Sequence, residues 1–512
     1  MLTRLPEDLV LDIIYYLVSA TSSPFARSTC RFLHGIGGND YVWHRLIAAF
    51  PLPLDVPPHT LPCTLPGDEL QRLAIRAIRL DANWRATRTR VRGLRALTDD
   101  KSGQYVDQMQ FLPGGRWLWT AQRTLRRDSW YTRMSLWSLV ADGDTPCRAW
   151  STETSGIYRN CTVVQSSDGD LVTLAVGVCD HREVIEVHSI SLEQATSTQC
   201  GLYPPYPPRP SPTKKQLLIV PHPRAPHLRP IIHEITSHGP DLLIVTIFAL
   251  DTGGGAGSLQ ILFVHPGTGA TKWVDPSFAQ SFSFLWVRVW GDFLFLIGEV
   301  VDDFAVQVYR IPQPFASTPS SPGASPPATP APDDPAGAED DDYAYTDLGP
   351  VLSKFVGPTP MAVPGHHIAQ VSPATASTTS LSAIMFYHSS HPHSAQLLRF
   401  GFDLSSQSVA FKNMSSKDFP IGNESSAQLA QVGALGLRAV WLEHNWETQL
   451  NRVMKLAYDP RTRTATVGML LPPDPELPFS PNMCHSLAFD EVTGRLCLGM
   501  YDGKVYLLDF VV

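Results

Sequence analysis

Apolar residues return in two rhythms along this chain, and the change of rhythm divides it. Near the N-terminus Leu9, Ile13 and Leu17 recur every fourth residue, which places them on one face of a helix. Pro6 fits the first turn, where a missing N–H costs nothing, and Glu7 and Asp8 favour the positive end of the helix dipole. Two further helix starts follow at Ser23-Pro24 and Asn39-Asp40, each ahead of aromatic and aliphatic residues. Pro51, Pro53, Pro57, Pro58, Pro62 and Pro66 then interrupt any regular element, so residues 51–66 read as a connector. Gly67-Asp68 opens another helix, predicted through Arg85, with Leu70, Leu73, Ala77 and Leu80 at spacings of three and four.

After Lys101 the period falls to two, and short β-rich runs alternate with turn residues. Seven such stretches lie near 106–139, 161–192, 231–275, 284–312, 366–404, 429–459 and 484–510. The first holds a Pro113-Gly114-Gly115 turn and a Leu136-Trp137-Ser138-Leu139 strand. The last has three strands joined by Gly-containing turns and ends Val505-Tyr506-Leu507-Leu508-Asp509. A strand-rich unit repeated every forty to fifty residues or so predicts a β-propeller, because one blade cannot cover both faces of its own sheet. Seven blades are counted, six or eight remain open, and the rival arrangement is a β-sandwich or a pair of them. Residues 313–342 are rich in Ser, Pro and Ala and end in Glu339-Asp340-Asp341-Asp342; such a segment cannot form a core and is expected to be a disordered insertion. Tyr203–Pro212 reads as another loop.

Composition narrows the class. The 512 residues are 43% hydrophobic and only 17% charged, with 45 Pro and 12 Trp, a balance that favours many short strands and turns. A net charge of −8 gives no general attraction for nucleic acid or an anionic membrane. The eight cysteines, at 30, 63, 147, 161, 179, 200, 484 and 497, never stand two residues apart, so reduced and mostly buried thiols are expected rather than a zinc or redox motif. No apolar run reaches the roughly eighteen residues of a membrane span, and the acidic N-terminus lacks a signal-peptide core; the reading is an intracellular protein, cytoplasmic or nuclear.

Candidate chemistry is sparse. Gly-x-Ser-x-Gly and His-Glu-x-x-His are absent, Gly253–Ser258 lacks the Lys of a phosphate-cradling loop, and His366, His367 and the histidines of 388–393 have no supporting carboxylate or thiol, so no catalytic residue, metal or cofactor is assigned. Arg72, Arg76, Arg79, Arg85, Arg88, Arg90, Arg92 and Arg95 form the only dense basic cluster. Without interleaved aromatics beyond Trp84, these arginines are expected to keep a helix wet and pair with carboxylates rather than bind nucleic acid.

Leu5-Pro6-Glu7, Ile13-Ile14, a central Cys30-Arg31 and a closing Trp43-x-x-Leu46, in this order over residues 4–47, resemble the F-box, the module that docks on the Skp adaptor of Skp/cullin/F-box ubiquitin ligases. The helix ending Asn83-Trp84-Arg85 resembles the linker helix that precedes the first blade in F-box proteins with WD-repeat propellers. The final strand unit looks like a degenerate WD-repeat blade, although Gly-His and Trp-Asp signatures are missing. The resemblance implies an α+β multidomain chain: an all-α F-box at 1–50, a proline-rich connector and linker helix at 51–100, and an all-β propeller at 101–512. It further implies that Leu5, Pro6, Leu9, Ile13, Leu17, Trp43 and Leu46 meet a Skp-family adaptor and, through it, a cullin. The chain would then be a non-catalytic substrate receptor whose propeller presents a protein to the ubiquitin-conjugating enzyme. The alternatives are a propeller scaffold acting outside a ligase and, less favoured, a propeller hydrolase.

Overall fold

The computed structural model describes residues 40–48, 50–56, 60–98, 105–139, 146–166, 168–192, 213–220, 222, 225–251, 253, 257–274, 282–300, 303–313, 315, 345–358, 367–372, 380–387, 394–404, 409–422, 424–471 and 477–511. Their strands assemble into seven sheets, six of them built on four antiparallel strands that follow one another around the ring at residues 105–155, 157–218, 228–274, 282–358, 367–420 and 425–469. The seventh takes three strands from residues 484–509 and its fourth, outermost strand from Gly93–Thr98, which pairs antiparallel with Val505–Asp509 at Gly93↔Asp509 and Ala96↔Tyr506. The chain is a seven-bladed β-propeller closed by its own two ends.

Each seam between neighbouring blades holds one apolar core, and the seven cores account for the strand sequences. Phe293–Val300 is apolar without alternation because both faces are covered: Phe293, Phe295 and Ile297 pack towards blade 5, while Leu294 and Leu296 pack towards blade 3. The same split makes residues 242–247 and Arg495–Met500 continuous buried runs. Outer strands are more polar, as in Cys147–Ser155, where only Ala149 and Thr154 are buried. Hence five of the expected stretches stop short of the fourth strand, the stretch at 231–275 reaches it, and the seventh blade's outer strand lies within the residues expected to be connector and helix. The propeller begins at Gly93, eight residues before the expected boundary at 101.

Two α-helices are present among the described residues, α1 (Asp40–Ala48) and α2 (Gly67–Arg85). α1 buries Val42 and Leu46 and packs on α2, with Asp40 Oδ1 accepting the Gly67 N–H at 2.8 Å. A side chain at 67 would sit 2.5 Å from that oxygen. Residues 1–39, most of the expected F-box, lie outside the described residues, as do nearly all of 313–342 and all of 203–212. After residues 313–342, Tyr345–Thr346 adds a parallel fifth strand to blade 3 beside Thr271–Val274, and Ser353–Pro358 then completes blade 4. The six described cysteines are free and four of them are buried. No helix among the described residues is long and apolar enough to cross a membrane.

A buried carboxylate stitches blades 1 and 2. Glu186, 1% exposed, accepts hydrogen bonds from Thr154 Oγ1 (2.6 Å) and Gln216 Nε2 (2.7 Å) and lies 2.9 Å from Lys214 Nζ and 3.3 Å from His188 Nε2. Burial pushes its carboxyl up, but these donors, His188 first, outweigh burial and hold it at about 2. A carboxyl held below its unfolded value of 4.5 contributes stability that is complete above that pH and drains away as pH falls towards 2. Glu186→Gln should therefore lower the unfolding free energy at neutral pH by roughly 2–3 kcal/mol and flatten the acid limb between those values, read by denaturant titration at several pH values. An acid limb unchanged in the variant would remove Glu186 from this role.

Candidate functional site: the propeller face opposite an anchored helix

α2 is fixed to one end of the propeller by the residues that close it. Trp84 is fully buried between blades 6 and 7, where its indole N–H donates to the Leu456 carbonyl at 2.9 Å, stacks on Phe489 at 5.1 Å and meets Phe510 edge-on. Asn83 Nδ2 donates to the carbonyls of Arg90 and Phe510, and its Oδ1 accepts the Arg90 N–H, all at 2.8 Å. Lys455, reaching from the third strand of blade 6, donates to the Trp84 and Ala86 carbonyls and to Thr89 Oγ1 at 2.6, 2.7 and 2.5 Å. Burial pulls its ammonium down to about 8, so at pH 7 it keeps its three donors over the negative end of the helix.

A second layer ties the helix to the seam beneath it. Arg438 Nη2 lies 3.2 Å from Asp81 of α2, and its Nη1 donates to the Glu491 carbonyl at 2.8 Å. The Glu491 carboxyl group accepts the backbone N–H groups of Leu435, Leu437 and Arg438 at 2.7–2.8 Å. Burial raises the pKa of that carboxyl above its ordinary value, although Arg438 and the three N–H groups oppose the rise. Every one of these contacts lies at the end where first strands turn into second strands, so the opposite end stays clear of the helix.

That opposite end carries the exposed apolar surface. Of fifteen large hydrophobic side chains exposed among the described residues, eleven lie towards it. Trp446 and Leu450 of blade 6, Met483 and Tyr501 of blade 7 and Tyr105 of blade 1 form an arc across three blades. Asn482 Oδ1, accepting the Asn451 N–H at 2.7 Å, joins blade 6 to blade 7, and the Tyr501 N–H donates to the Met483 carbonyl. The His485 ring packs 4.5 Å from Tyr501 and 5.8 Å from Tyr105, and the two tyrosines meet edge-to-face at 6.0 Å. Arg123 lies over Tyr105 and Trp130, with Nε 3.0 Å from Asp107 Oδ1, and His485 Nε2 is 3.7 Å from the same oxygen.

The backbone helps aim these groups. The first strands are innermost, most neighbouring pairs of them touch around the axis, and five of the seven skip one residue in register near their start: Asp107, Arg159, His233, Ser283 and His485. A bulge of this kind turns a side chain out of the strict alternation and towards the mouth of the ring. The arrangement can hold a protein partner by aromatic stacking and by the paired Arg123 and Asp107.

Of the adaptor-facing residues expected from sequence, Leu5, Pro6, Leu9, Ile13 and Leu17 lie outside the described residues. Trp43 is half-buried on α1, and Leu46 is buried against its own chain. The mouth residues Tyr105, Asp107, Arg123, His485 and Tyr501 escaped sequence reading. Asp107 and His485 take their places from bulges, which have no signature in a single sequence. Of the histidines considered for metal, His367 opens the first strand of blade 5 and the others lie outside the described residues.

No family model matches the chain, and no curated protein matches it. Solved structures do. An oligogalacturonate lyase in complex with manganese is similar at 10% identity and a TM-score of 0.43, over 81% of this chain and 93% of that one. The Dos1 propeller is similar at 9% identity and a TM-score of 0.39, covering 81% and 95%, and the WD40 domain of SCAP from fission yeast at 9% and 0.34, covering 82% and 99%.

Trp84→Ala should cost about 3–5 kcal/mol, since the indole fills the seam between blades 6 and 7. Lys455→Met should cost about 1–3 kcal/mol by leaving the Trp84 and Ala86 carbonyls without a donor. Urea unfolding of the whole chain reads both, and a loss below about 1 kcal/mol for Trp84→Ala would mean that α2 is not part of the propeller's cooperative unit.

Proposed function

We propose that this chain is the substrate-recognition subunit of a Skp/cullin/F-box ubiquitin ligase, with residues 1–50 docking the adaptor and the propeller binding a protein substrate. The observation that carries it is the asymmetry of the two ends: the helix ending Asn83-Trp84-Arg85 is locked across blades 6 and 7 at one end, and the aromatic arc lies exposed at the other. A receptor of this class needs both features. The adaptor-binding module must leave the propeller in a fixed direction, and the substrate must be held where the module does not reach. The chain would do no chemistry itself and would act by raising the effective concentration of a substrate lysine near the conjugating enzyme.

The partners are therefore a Skp-family adaptor, through it a cullin, and a protein substrate bound at the mouth formed by Tyr105, Tyr501 and Trp446. Affinity purification of the full chain should recover adaptor and cullin, and Leu9→Asp with Ile13→Asp should abolish that recovery. Tyr105→Ala with Tyr501→Ala should keep the adaptor and release proteins that accumulate on the wild type under proteasome inhibition. Recovery of adaptor undiminished by the Leu9/Ile13 pair, or no adaptor at all, would overturn the ligase reading and leave a propeller scaffold.

A further inference from the structure

The arginines around α2 were expected to pair with carboxylates, and the fold divides them. Arg76 meets Asp55 at 3.2 Å, and Arg85 meets Asp81 at 2.7 Å. Arg72, Arg79, Arg88 and Arg90 are exposed and have no carboxylate within salt-bridge distance among the described residues. The fold adds two arginines that are remote in sequence. Arg85 Nη2 reaches the Tyr458 carbonyl at 3.4 Å, and Lys455 holds Ala86 and Thr89, so the loop bearing Arg88 and Arg90 runs beside the turn that follows Asp459. That turn carries Arg461 and Arg463, both exposed and equally without an acidic partner. Arg463 also adopts a left-handed backbone, φ 53°, where Gly or Asn would sit with less strain.

We propose that this basic edge, Arg88, Arg90, Arg461 and Arg463 with Arg79 and Arg72 continuing along α2, binds an acidic, carboxylate-rich segment of a partner protein. Six guanidinium groups without internal partners in a chain of net charge −8 make a local field opposite in sign to that of the molecule as a whole. Their spread favours a line of carboxylates over a single phosphate. At 1.5 Å per residue Arg72 lies about 20 Å along the helix from Arg85, whereas one phosphate needs several donors converging on one point. Nucleic acid is disfavoured because the aromatic residue within the cluster, Trp84, is fully buried and offers no surface for a base.

The test is fluorescence anisotropy of the full chain with labelled decaglutamate and, at equal charge, labelled oligothymidylate, at low salt and near 0.15 M, where screening falls within about 8 Å. Decaglutamate should bind, and weaken with salt. Arg88→Gln with Arg90→Gln, and Arg461→Gln with Arg463→Gln, should each weaken it roughly fivefold. Arg127→Gln with Arg182→Gln, exposed arginines at the opposite end, should leave binding unchanged. Tighter binding of oligothymidylate would make the edge a nucleic-acid surface and overturn the proposal. So would equal weakening by the Arg127/Arg182 pair, or no decaglutamate binding at low salt. All these side chains are exposed, so thermal unfolding of the variants should match that of the wild type.

Discussion

The pairing of Gly93–Thr98 with Val505–Asp509 is the constraint on which the rest of the molecule depends. Each blade needs a neighbour on both faces, so an open ring would expose two half-cores at once. The strand that closes the ring comes from the start of the propeller, and seven residues, 86–92, separate it from the end of α2. The helix therefore has little freedom over where it ends, and the residues that receive it, Lys455, Arg438 and Glu491, come from blades 6 and 7, against whose shared core Leu94 of the closing strand packs. Circular closure and the place of α2 on the propeller are consequences of one hydrogen-bonded ladder.

Closure is reinforced at the seam between blades 7 and 1 by contacts that leave almost no space. Arg495, 8% exposed, donates to the Gly115 carbonyl at 2.7 Å and to the Leu139 carbonyl at 3.3 Å, and Gln122 donates to the Gly503 carbonyl at 2.9 Å. Gly115 has φ +60°, and a side chain there would lie 2.4 Å from the Asp490 carboxyl and 2.6 Å from Thr493. The Pro113-Gly114-Gly115 turn thus serves two needs, a left-handed backbone and the close approach of blade 7. Burying Arg495 is tolerable because its guanidinium finds carbonyls in place of water.

The blade count and α2 were legible because they rest on local signals. Gly67–Arg85 showed its apolar spacing, and Leu70, Ala77 and Leu80 are buried as that spacing predicts, while Leu73 is half-buried. The central strands announced themselves by length and aliphatic content. The outer strands did not, since Cys147–Ser155 and Thr213–Leu218 cover one neighbour and face water along an edge, which leaves them polar. Non-local pairing was beyond reach altogether: nothing in Gly93–Thr98 says that its partner lies some four hundred residues away. Asn83-Trp84-Arg85 was recognisable as three letters, and its physical sense appears only when the Leu456 and Phe510 carbonyls arrive to accept its donors.

Charge follows the same division between local and assembled. Read along the chain, the arginines from Arg72 to Arg95 belong to a wet helix and its exit loop, and ordinary solvation accounts for them. Folding changes this in two ways: it assigns carboxylates to Arg76 and Arg85 and to none of their exposed neighbours at 72, 79, 88 and 90, and it brings Arg461 and Arg463 from blade 6 to the same edge. At the opposite end the exposed arginine beside the aromatic arc, Arg126, is answered by two oxygens of Glu153 at 2.7 and 3.1 Å, and Arg123 is held by Asp107. The aromatic end therefore sets paired arginines beside its rings, and the other end presents arginines without exposed rings. The two ends thus favour different kinds of contact, aromatic stacking at one and ion pairing with carboxylates at the other, and neither surface overlaps the other.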